Sequence, residues 1–229
     1  MMKKIILAIS AVLLTVSLFA QNCEAYIPFQ VGKKVTTESY DDKDKLTGSS
    51  TMKVIAINDV DGKQEIVVES ENFDKKGESQ GTGQFQYYCN GDVFEMDMKT
   101  MIDQEQMSGF EDMTIEYTVN NLAYPRVLTA GMTLNDGFVE MVILNQGIKF
   151  MTWRIDITNI KVEAIESITV PAGTFEAYKI SSDYTSKTGF VTVNMKSVQW
   201  MVKEIGAVRT ESYDKKDKLM GYTVISKIE

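Results

Sequence analysis

The sequence predicts an all-β fold, built as one curved antiparallel sheet that forms an open or incompletely closed barrel. Three observations support this prediction. Apolar residues alternate with polar ones along much of the chain, turn signals recur at strand-sized intervals, and one dozen-residue segment is repeated near the two ends. No pattern of a helix longer than about two turns is evident, and residues 99–108 are the candidate for one short helix.

The N-terminal residues 1–20 have the pattern of a secretory signal peptide. Two lysines are followed by an apolar run that ends at Ala20, and this run is short for a membrane-spanning helix. No later segment approaches the roughly 18 apolar residues that spanning requires. We therefore expect cleavage after Ala20, or alternatively after Ala25, and one exported all-β domain over residues 21–229. An uncleaved N-terminal anchor is a further alternative.

The chain has two cysteines, Cys23 and Cys89. Cysteines of exported proteins commonly form disulfides, so we expect these two to pair and to attach the mature N-terminus to a strand. The closed loop of about 66 residues would stabilise the fold by roughly 4 kcal/mol in the chain-entropy description. Two free thiols, or loss of Cys23 with the leader, are the alternatives. Asn22 precedes Cys23 where a lipid anchor requires a small residue, which argues against lipidation.

Strict alternation of apolar and polar side chains predicts strands with one dry and one wet face. The apolar positions are Phe94, Met96 and Met98 in one segment, Met113, Ile115, Tyr117 and Val119 in a second, and Met151, Trp153, Ile155 and Ile157 in a third. After Ile157 the apolar phase shifts by one residue. This shift predicts a β-bulge near Thr158 and Asn159, and bulges bend strands in the way that a curved sheet requires.

Turn signals separate the predicted strands at 59–62, 90–92 and 170–173. Between them, the segments 66–68 and 138–144 are apolar on both faces. Such strands are covered on both sides by a helix, a second sheet or a bound apolar molecule. They are the one hint of a ligand cavity, and ordinary packing under loops is the alternative.

The repeated segment is T-E-S-Y-D-D-K-D-K-L-T-G from Thr37 and T-E-S-Y-D-K-K-D-K-L-M-G from Thr210, identical at ten of twelve positions. Each copy predicts a hairpin with a charged tip, over 41–45 and 214–218. A sheet that curls must bring its first and last strands together or cover them, so we expect the two hairpins in related positions of a pseudo-symmetric sheet. A pair of acidic calcium sites is the alternative, and the interleaved lysines argue against it.

Composition excludes several functional classes. The chain has no histidine, which removes Ser-His-Asp and Cys-His catalysis and His-ligated zinc. It has 32 acidic and 24 basic residues, a formal charge of −8 and no basic cluster, so we expect neither nucleic acid nor anionic membrane surfaces as partners. Carboxylate pairs such as Glu163 and Glu166 arise by chance among so many acids. We expect no enzyme activity, metal or cofactor, with a carboxylate enzyme as the remaining alternative.

Three parts of the sequence resemble one known family. They are residues 167–180 with the V-P-A-G-T-F hairpin, Trp200 followed by the G-x-V-x-x-E-x-Y-D pattern of 206–214, and Tyr124-Pro125 with Gly131 and Leu134. These features are similar to the TapB-like family of exported bacterial proteins, which contain a domain of unknown function. The resemblance spans about residues 23–228, although Met201-Val202-Lys203 replaces the Tyr-Ala-like pair expected after the tryptophan.

The resemblance implies a periplasmic or cell-surface protein of a Gram-negative, Bacteroides-type bacterium. It also implies a curved sheet similar to that of lipoprotein-carrier proteins. It implies no catalytic residues.

Together these observations predict a non-enzymatic exported protein whose barrel holds a lipid-like or other apolar small molecule. The candidate lining residues are Met96, Met98, Met141, Trp153 and Trp200. The alternative is an envelope structural or protein-interaction module with a filled core and a protein partner at an exposed strand edge. The M-x-M-x-x-M segment 96–101 also fits a copper(I) carrier, but flexible methionines more often fill cores and apolar pockets.

Overall fold

The computed structural model describes residues 25–102, 109–110 and 112–229. Over these ranges the chain forms thirteen β-strands and one short 3-10 helix. In chain order they are β1 Lys34–Asp41, β2 Leu46–Val60, β3 Lys63–Asp74, β4 Ser79–Cys89, β5 Val93–Met96, the 3-10 helix Met98–Met101, β6 Thr114–Asn120, β7 Leu122–Pro125, β8 Gly137–Asn145, β9 Ile148–Val170, β10 Gly173–Thr188, β11 Val191–Val202, β12 Gly206–Tyr213 and β13 Leu219–Ile228. The predicted signal peptide and Cys23 lie outside the described residues, so both the cleavage site and the Cys23–Cys89 disulfide stay predictions.

All thirteen strands belong to one antiparallel sheet, which confirms the predicted fold class. Their order is β6-β8-β9-β10-β11-β12-β13-β1-β2-β3-β4-β5-β7. The sheet curls into a barrel that is closed except at one seam, between the edge strands β6 and β7. Asn121 alone separates these two strands in the sequence, so the chain itself crosses the seam.

At the seam, β7 approaches the start of β8 closely. A Cβ atom added at Gly137 would lie 2.6 Å from Leu122 Cδ2, so a larger residue here would require the Leu122 side chain to move. The side-chain oxygen of Asn121 accepts a hydrogen bond from the backbone N–H of Met98 at 3.1 Å. The 3-10 helix is thereby fixed beside the seam.

Strand alternation divides the side chains between the barrel interior and its outer surface. Met201 and Ala207 contact the main core inside, whereas their neighbours Trp200 and Val208 belong to a second apolar cluster on the other face. The second cluster consists of Val35, Val170, Ala177, Trp200, Val208, Val224 and Ile225. It forms where the β9–β10 hairpin, which carries the V-P-A-G-T-F segment, lies against β13, and the backbone N–H of Ala172 donates to the carbonyl of Ile225 at 3.3 Å.

The predicted bulge is confirmed. The pairing of β9 with β10 shifts register between Ser181 and Asp183, opposite residues 158–161, and Asn159 adopts a positive φ of 54°. The shift keeps both Ile157 and Ile160 against the interior. The bulge therefore bends a 23-residue strand without exposing its apolar side.

The alternation predicted through Phe94, Met96 and Met98 ends earlier than expected. β5 stops at Met96, and the carboxylate of Asp97 accepts from the backbone N–H of Lys99 at 2.9 Å, which starts the 3-10 helix. Met98 is therefore a helical residue. The predicted helix over 99–108 is observed as four residues, and 103–108 lie outside the described residues.

The two repeated hairpins are neighbours in the sheet, because β13 pairs with β1. Their internal registers are the same: a bulge after Ser39 places Tyr40 opposite Leu46, and a bulge after Ser212 places Tyr213 opposite Leu219. The predicted pseudo-symmetry is thus confirmed, and the first and last strands meet through it.

The repeated residues make the same hydrogen bonds in both copies. Asp41 Oδ1 accepts the backbone N–H groups of Lys43 and Lys45, both at 2.9 Å, and Asp214 Oδ1 does the same at its own tip. The hydroxyl of Tyr40 donates to Glu38, and that of Tyr213 to Glu211. Because each carboxylate accepts a hydrogen bond from the protonated phenol, the pKa of Tyr40 is raised and that of Tyr213 rises to about 12.

A third hairpin, β3–β4, has the same form, which the sequence analysis missed. Asp74 Oδ1 accepts the N–H groups of Lys76 and Glu78 at 2.8 and 2.9 Å, and a bulge after Asn72 places the next residue opposite Ser79. The pattern common to all three copies is E-x-[YF]-D-x-K, with a glycine seven residues after the Asp. Three successive hairpins of the barrel are therefore copies of one unit.

The glycine of the repeat lets adjacent copies pack. A Cβ atom at Gly48 would lie 2.6 Å from the carbonyl oxygen of Phe73, and one at Gly221 would lie 2.5 Å from that of Tyr40. Tyr40 and Phe73 hold equivalent positions in their hairpins. Each glycine thus makes room for the backbone of the next copy.

We expect Gly48→Ala and Gly221→Ala to lower the free energy of unfolding by about 1–3 kcal/mol each, because a rigid backbone oxygen must move to admit the methyl group. Urea unfolding followed by circular dichroism measures this. Gly83→Ala in β4 is the matched control, since nothing lies within 4 Å of a Cβ atom there. A control as unstable as the two variants would contradict the explanation.

The aspartate tips predict a loss of stability in acid. The hydrogen bonds that the carboxylates of Asp41 and Asp214 accept from backbone N–H groups hold the pKa of both below the usual 3.8. The stability that these bonds add to the fold is therefore present above that pH and is lost as pH falls through the folded pKa. Between pH 5 and pH 2, the double variant Asp41→Asn/Asp214→Asn should lose less stability than the wild type, because Asn keeps an acceptor oxygen and does not titrate. An equal loss would show that the tips do not contribute.

Candidate functional site

A cavity of about 300 Å³ lies inside the barrel. Its lining is mostly aliphatic, aromatic and methionine side chains, and the described lining residues include no Asp, Glu, Lys or Arg. They are Tyr26, Ile27, Met52, Tyr87, Phe94, Met96, Met101, Leu122, Tyr124, Ile157, Ile160, Ile180, Ser182, Tyr184, Ser197, Gln199, Met201, Gly206 and Ala207. A site of this kind can hold an apolar molecule, but it offers no charged group for acid–base chemistry.

The segment before β1 closes part of the cavity. Tyr26 is fully buried, and its ring centroid lies 6.1, 5.8 and 6.0 Å from those of Phe94, Tyr124 and Tyr178. The backbone N–H of Glu204 donates to the carbonyl of Ala25 at 2.8 Å. The segment is therefore fixed to the β11–β12 turn as an inserted plug.

An aromatic wall is formed by β4, β5 and β7. Tyr87 stacks on Phe94 with 5.2 Å between ring centroids, and Tyr124 lies beside them. Burial raises the pKa of both tyrosines, that of Tyr124 to about 12, so both hydroxyls are protonated at neutral pH. No hydrogen bond to either hydroxyl is found among the described residues, which leaves two donors for a guest molecule.

Four methionines line the cavity: Met52, Met96, Met101 and Met201. Unbranched thioether side chains adapt to guests of different shape. Within the M-x-M-x-x-M segment, Met96 and Met101 reach the cavity and Met98 is fully buried beside it. In the described ranges, no cluster of three or more Cys, Asp or Glu side chains could hold a metal ion.

One wall of the cavity is polar. Ser182 and Ser197 are paired across β10 and β11, and Gln199 follows on the same face. All three are only half-buried. This wall therefore provides hydrogen-bonding groups where the cavity approaches solvent.

The structure places one of the five predicted lining residues, Met96, on the cavity wall. Met98 and Met141 are fully buried in the main core without reaching the cavity, and Trp153 packs against that core with its Nε1 donating to Ser186 at 3.3 Å. Trp200 requires a correction. It faces the second cluster outside the barrel, because strand alternation gives the inward position to Met201.

Trp200 instead lies in a charged and aromatic environment on the outer face. Its Nε1 donates to Glu166 Oε1 at 2.8 Å, and Lys179 Nζ lies 5.1 Å from the ring centroid. Glu166, considered above as a chance carboxylate, thus positions the tryptophan side chain. β10 pairs with β9 on one side and with β11 on the other. This pairing brings the W…G-x-V segment close to the V-P-A-G-T-F hairpin.

Sequence reasoning missed the tyrosines that dominate the cavity. One signal was available in the segment 85–89, where Gln86 and Tyr88 separate Phe85, Tyr87 and Cys89. This alternation could have placed Tyr87 inside. Tyr26 had no such signal, since it precedes the first strand. Burial of an irregular N-terminal segment depends on contacts with distant strands and leaves no periodic pattern.

A family profile matches residues 30–225, nearly the whole barrel. The chain belongs to the DUF3108-like family. The predicted resemblance to exported proteins with a domain of unknown function is confirmed at this level, while the TapB-like name and the V-P-A-G-T-F hairpin as its signature stay interpretations. No curated protein is significantly similar to the sequence.

Two solved structures resemble this DUF3108-like chain. One is a predicted exported protein of Bacteroides fragilis with a YmcC-like fold, 22% identical, with a TM-score of 0.69 over 90% of this chain and 100% of that chain. The other is a predicted lipoprotein of Parabacteroides distasonis, 23% identical, with a TM-score of 0.71 over 91% and 100%. At these identities the likeness establishes the fold. In the described part of the chain, no helix is long and apolar enough to cross a membrane.

The buried tyrosines predict a loss of stability in alkali. A pKa raised by folding contributes stability below the unfolded value, near 10, and this is lost as pH rises above it by about 1.4 kcal/mol per pH unit and residue. Between pH 10 and 11, Tyr87→Phe/Tyr124→Phe should therefore lose less stability than the wild type. Urea unfolding at both pH values measures it. Tyrosinate absorbance at pH 11 in the native wild type equal to that in urea would contradict the assignment.

Proposed function

We propose that this protein binds one amphipathic molecule, with an apolar chain and a small hydrogen-bonding head, in the barrel cavity. The observation that carries the proposal is an apolar cavity of about 300 Å³ whose described lining residues carry no charge and include two phenol hydroxyls, of Tyr87 and Tyr124, with no hydrogen-bond partner among the described residues. This volume is at the small end of ligand pockets, which range over roughly 300–1,000 Å³. It suits a single acyl or similar chain.

The polar wall favours one orientation of the guest. Ser182, Ser197 and Gln199 are half-buried, so a polar head there keeps some contact with water. Tyr87 and Tyr124 lie deeper and are each 9% exposed, so their hydroxyls can donate to a carbonyl or hydroxyl oxygen of the guest between its head and its apolar chain. Met52, Met101 and the isoleucines then surround the apolar chain.

Several observations support an exported, non-enzymatic role. The sequence has no histidine and begins with a leader-like segment, and the lining residues that the structure describes include no Asp, Glu, Lys or Arg. The two structural neighbours are a predicted exported protein and a predicted lipoprotein. We infer a location in the periplasm or at the surface of a Gram-negative bacterium.

A second candidate is an envelope structural or protein-interaction module, and the seam favours it. Among the described strands, β6 pairs only with β8, and β7 only with β5, so each presents an edge of backbone N–H and C=O groups that no described strand covers. Such edges accept an added strand from a partner protein. This function would not require the cavity to be occupied.

The first function predicts that filling the cavity removes the guest. Ala207 lines the cavity, so Ala207→Phe should abolish a lipid-sized adduct in native mass spectra of protein recovered from its own envelope. It should also weaken binding of a fluorescent fatty acid about tenfold or more, since a tenfold change requires only about 1.4 kcal/mol.

Ala56→Phe is the matched control, because Ala56 pairs with Val67, whose neighbours Ile66 and Val68 point into the core. Ala56 therefore faces away from the cavity, and this variant should keep the adduct. A wild-type protein of bare mass that does not bind the fatty acid would reject the first function. A stable co-purifying protein, lost on adding charges to β6 or β7, would support the second.

A further inference from the structure

Two hairpin tips at one rim of the barrel expose large apolar side chains. In the β8–β9 hairpin, Ile148 and Phe150 are 74% and 59% exposed. In the β10–β11 hairpin, Phe190 is fully exposed, and Val191 and Val193 are 65% and 45% exposed. Single exposed apolar residues are ordinary, but a cluster of five at protruding tips marks an interaction surface.

The two tips lie side by side. Thr188 of β10 pairs with Trp153 of β9, and the backbone N–H of Gly189 donates to the carbonyl of Thr152 at 3.3 Å. β11 pairs with β12 only from Lys196 onward, so residues 191–195 project beyond the neighbouring hairpin. The tips therefore extend past the rim where the aspartate tips of the repeated hairpins end.

The charge around these tips differs from that of the whole chain. Residues 144–153 and 184–197 contain three lysines and no acidic residue, in a chain with a formal charge of −8. Lys149 and Lys187 belong to the two tips, and Lys196 pairs with Asp217 at 2.5 Å. Phe150 also contacts Phe110, with 6.3 Å between ring centroids, and Asp112 follows two residues later. The average acidity argued against anionic membrane surfaces, but Lys149 and Lys187 give the two tips themselves a positive charge.

We propose that the two apolar tips dock the barrel on a lipid bilayer. Narrow, convex loops with aromatic and aliphatic ends can enter the headgroup region, where lipid surrounds each side chain on all sides. Lysines beside them keep their ammonium groups in water and attract anionic lipid. A folded protein would need two matching slots to bury the same residues, so the bilayer is the simpler partner.

The inner face of β11 connects this surface to the cavity. No register shift interrupts its pairing with β10, so positions 191, 193, 195, 197 and 199 share one face. Ser197 and Gln199 line the cavity, and Met195, Val193 and Val191 continue toward the tip. At about 3.4 Å per residue this track is about 27 Å long. It is the route by which an apolar guest passes between bilayer and barrel, a step that rests on the proposed function.

Vesicle flotation tests the docking. The exported protein, recovered from a Gram-negative host that expresses the full sequence, is mixed with phosphatidylethanolamine–phosphatidylglycerol vesicles. Ile148→Ser/Phe190→Ser should lower the partition coefficient about tenfold or more, because two large apolar side chains no longer enter the lipid. Val31→Ser/Val60→Ser is the matched control: both valines are exposed at the opposite rim, and this variant should float like the wild type.

A second comparison tests the lysines. Lys149→Glu/Lys187→Glu should weaken flotation with the anionic vesicles and have a much smaller effect with phosphatidylcholine vesicles. Equal flotation of all variants, or no flotation of the wild type, would overturn the docking. A dimer or a protein complex that forms through Phe190 without vesicle binding would overturn it as well.

Fatty-acid binding in vesicle-free solution separates this inference from the proposed function. The Ile148→Ser/Phe190→Ser variant should bind the probe as the wild type does and acquire it more slowly from donor vesicles. Loss of flotation with normal probe binding supports docking. Flotation of a wild type that binds no probe would leave the docking standing and reject both the cavity function and the route along β11.

Discussion

The structure depends on how an odd number of antiparallel strands is closed into a barrel. In a sheet of thirteen alternating strands, the two edge strands run in the same direction, so they cannot pair antiparallel with each other. The chain meets this constraint by making the edges successive parts of one extended segment, β6 and β7, that changes partner at Asn121. Since β6 and β7 lie end to end and count once around the barrel, its circumference is that of twelve strands. The edges left without a partner among the described strands are short.

The repeated hairpin explains how the two ends of the chain are joined. β13 meets β1 in the register by which β2 meets β3: Gly221 lies opposite Asp41, and Gly48 lies opposite Asp74. The junction between the termini is thus the same interface as an internal one, with the same glycine against the same carbonyl. Because the hairpin packs on its own copy, the pairing of β13 with β1 requires no contact that the pairing of β2 with β3 does not already use.

Alternation, turn residues and the near-identical repeat were enough to predict the fold class, the bulge at Asn159 and the meeting of the first and last strands. These features depend on local sequence or on identity between segments. The third hairpin was missed because it shares with the other two only the Glu, Asp, Lys and Gly positions, and Phe73 replaces the tyrosine. The cavity residues were predicted poorly because which face of a strand lies inside is set by distant pairing. Trp200 and Met201 differ by one position, and only the pairing of β10 with β11, which puts Ser197, Gln199 and Met201 on one face, decides between them.

The girth of the barrel also explains why a cavity exists. Side chains fill the interior of a barrel of about eight strands, whereas wider barrels keep space inside. This chain fills part of that space with the buried Tyr26 segment and with Met98 and Ile102 of the 3-10 region. The apolar side chains around the remaining space have no packing partners on that side, and the loss of such contacts is destabilising. Larger side chains at Ala207 or Ser197 would fill part of this space, so their small size keeps open the room that the proposed guest requires.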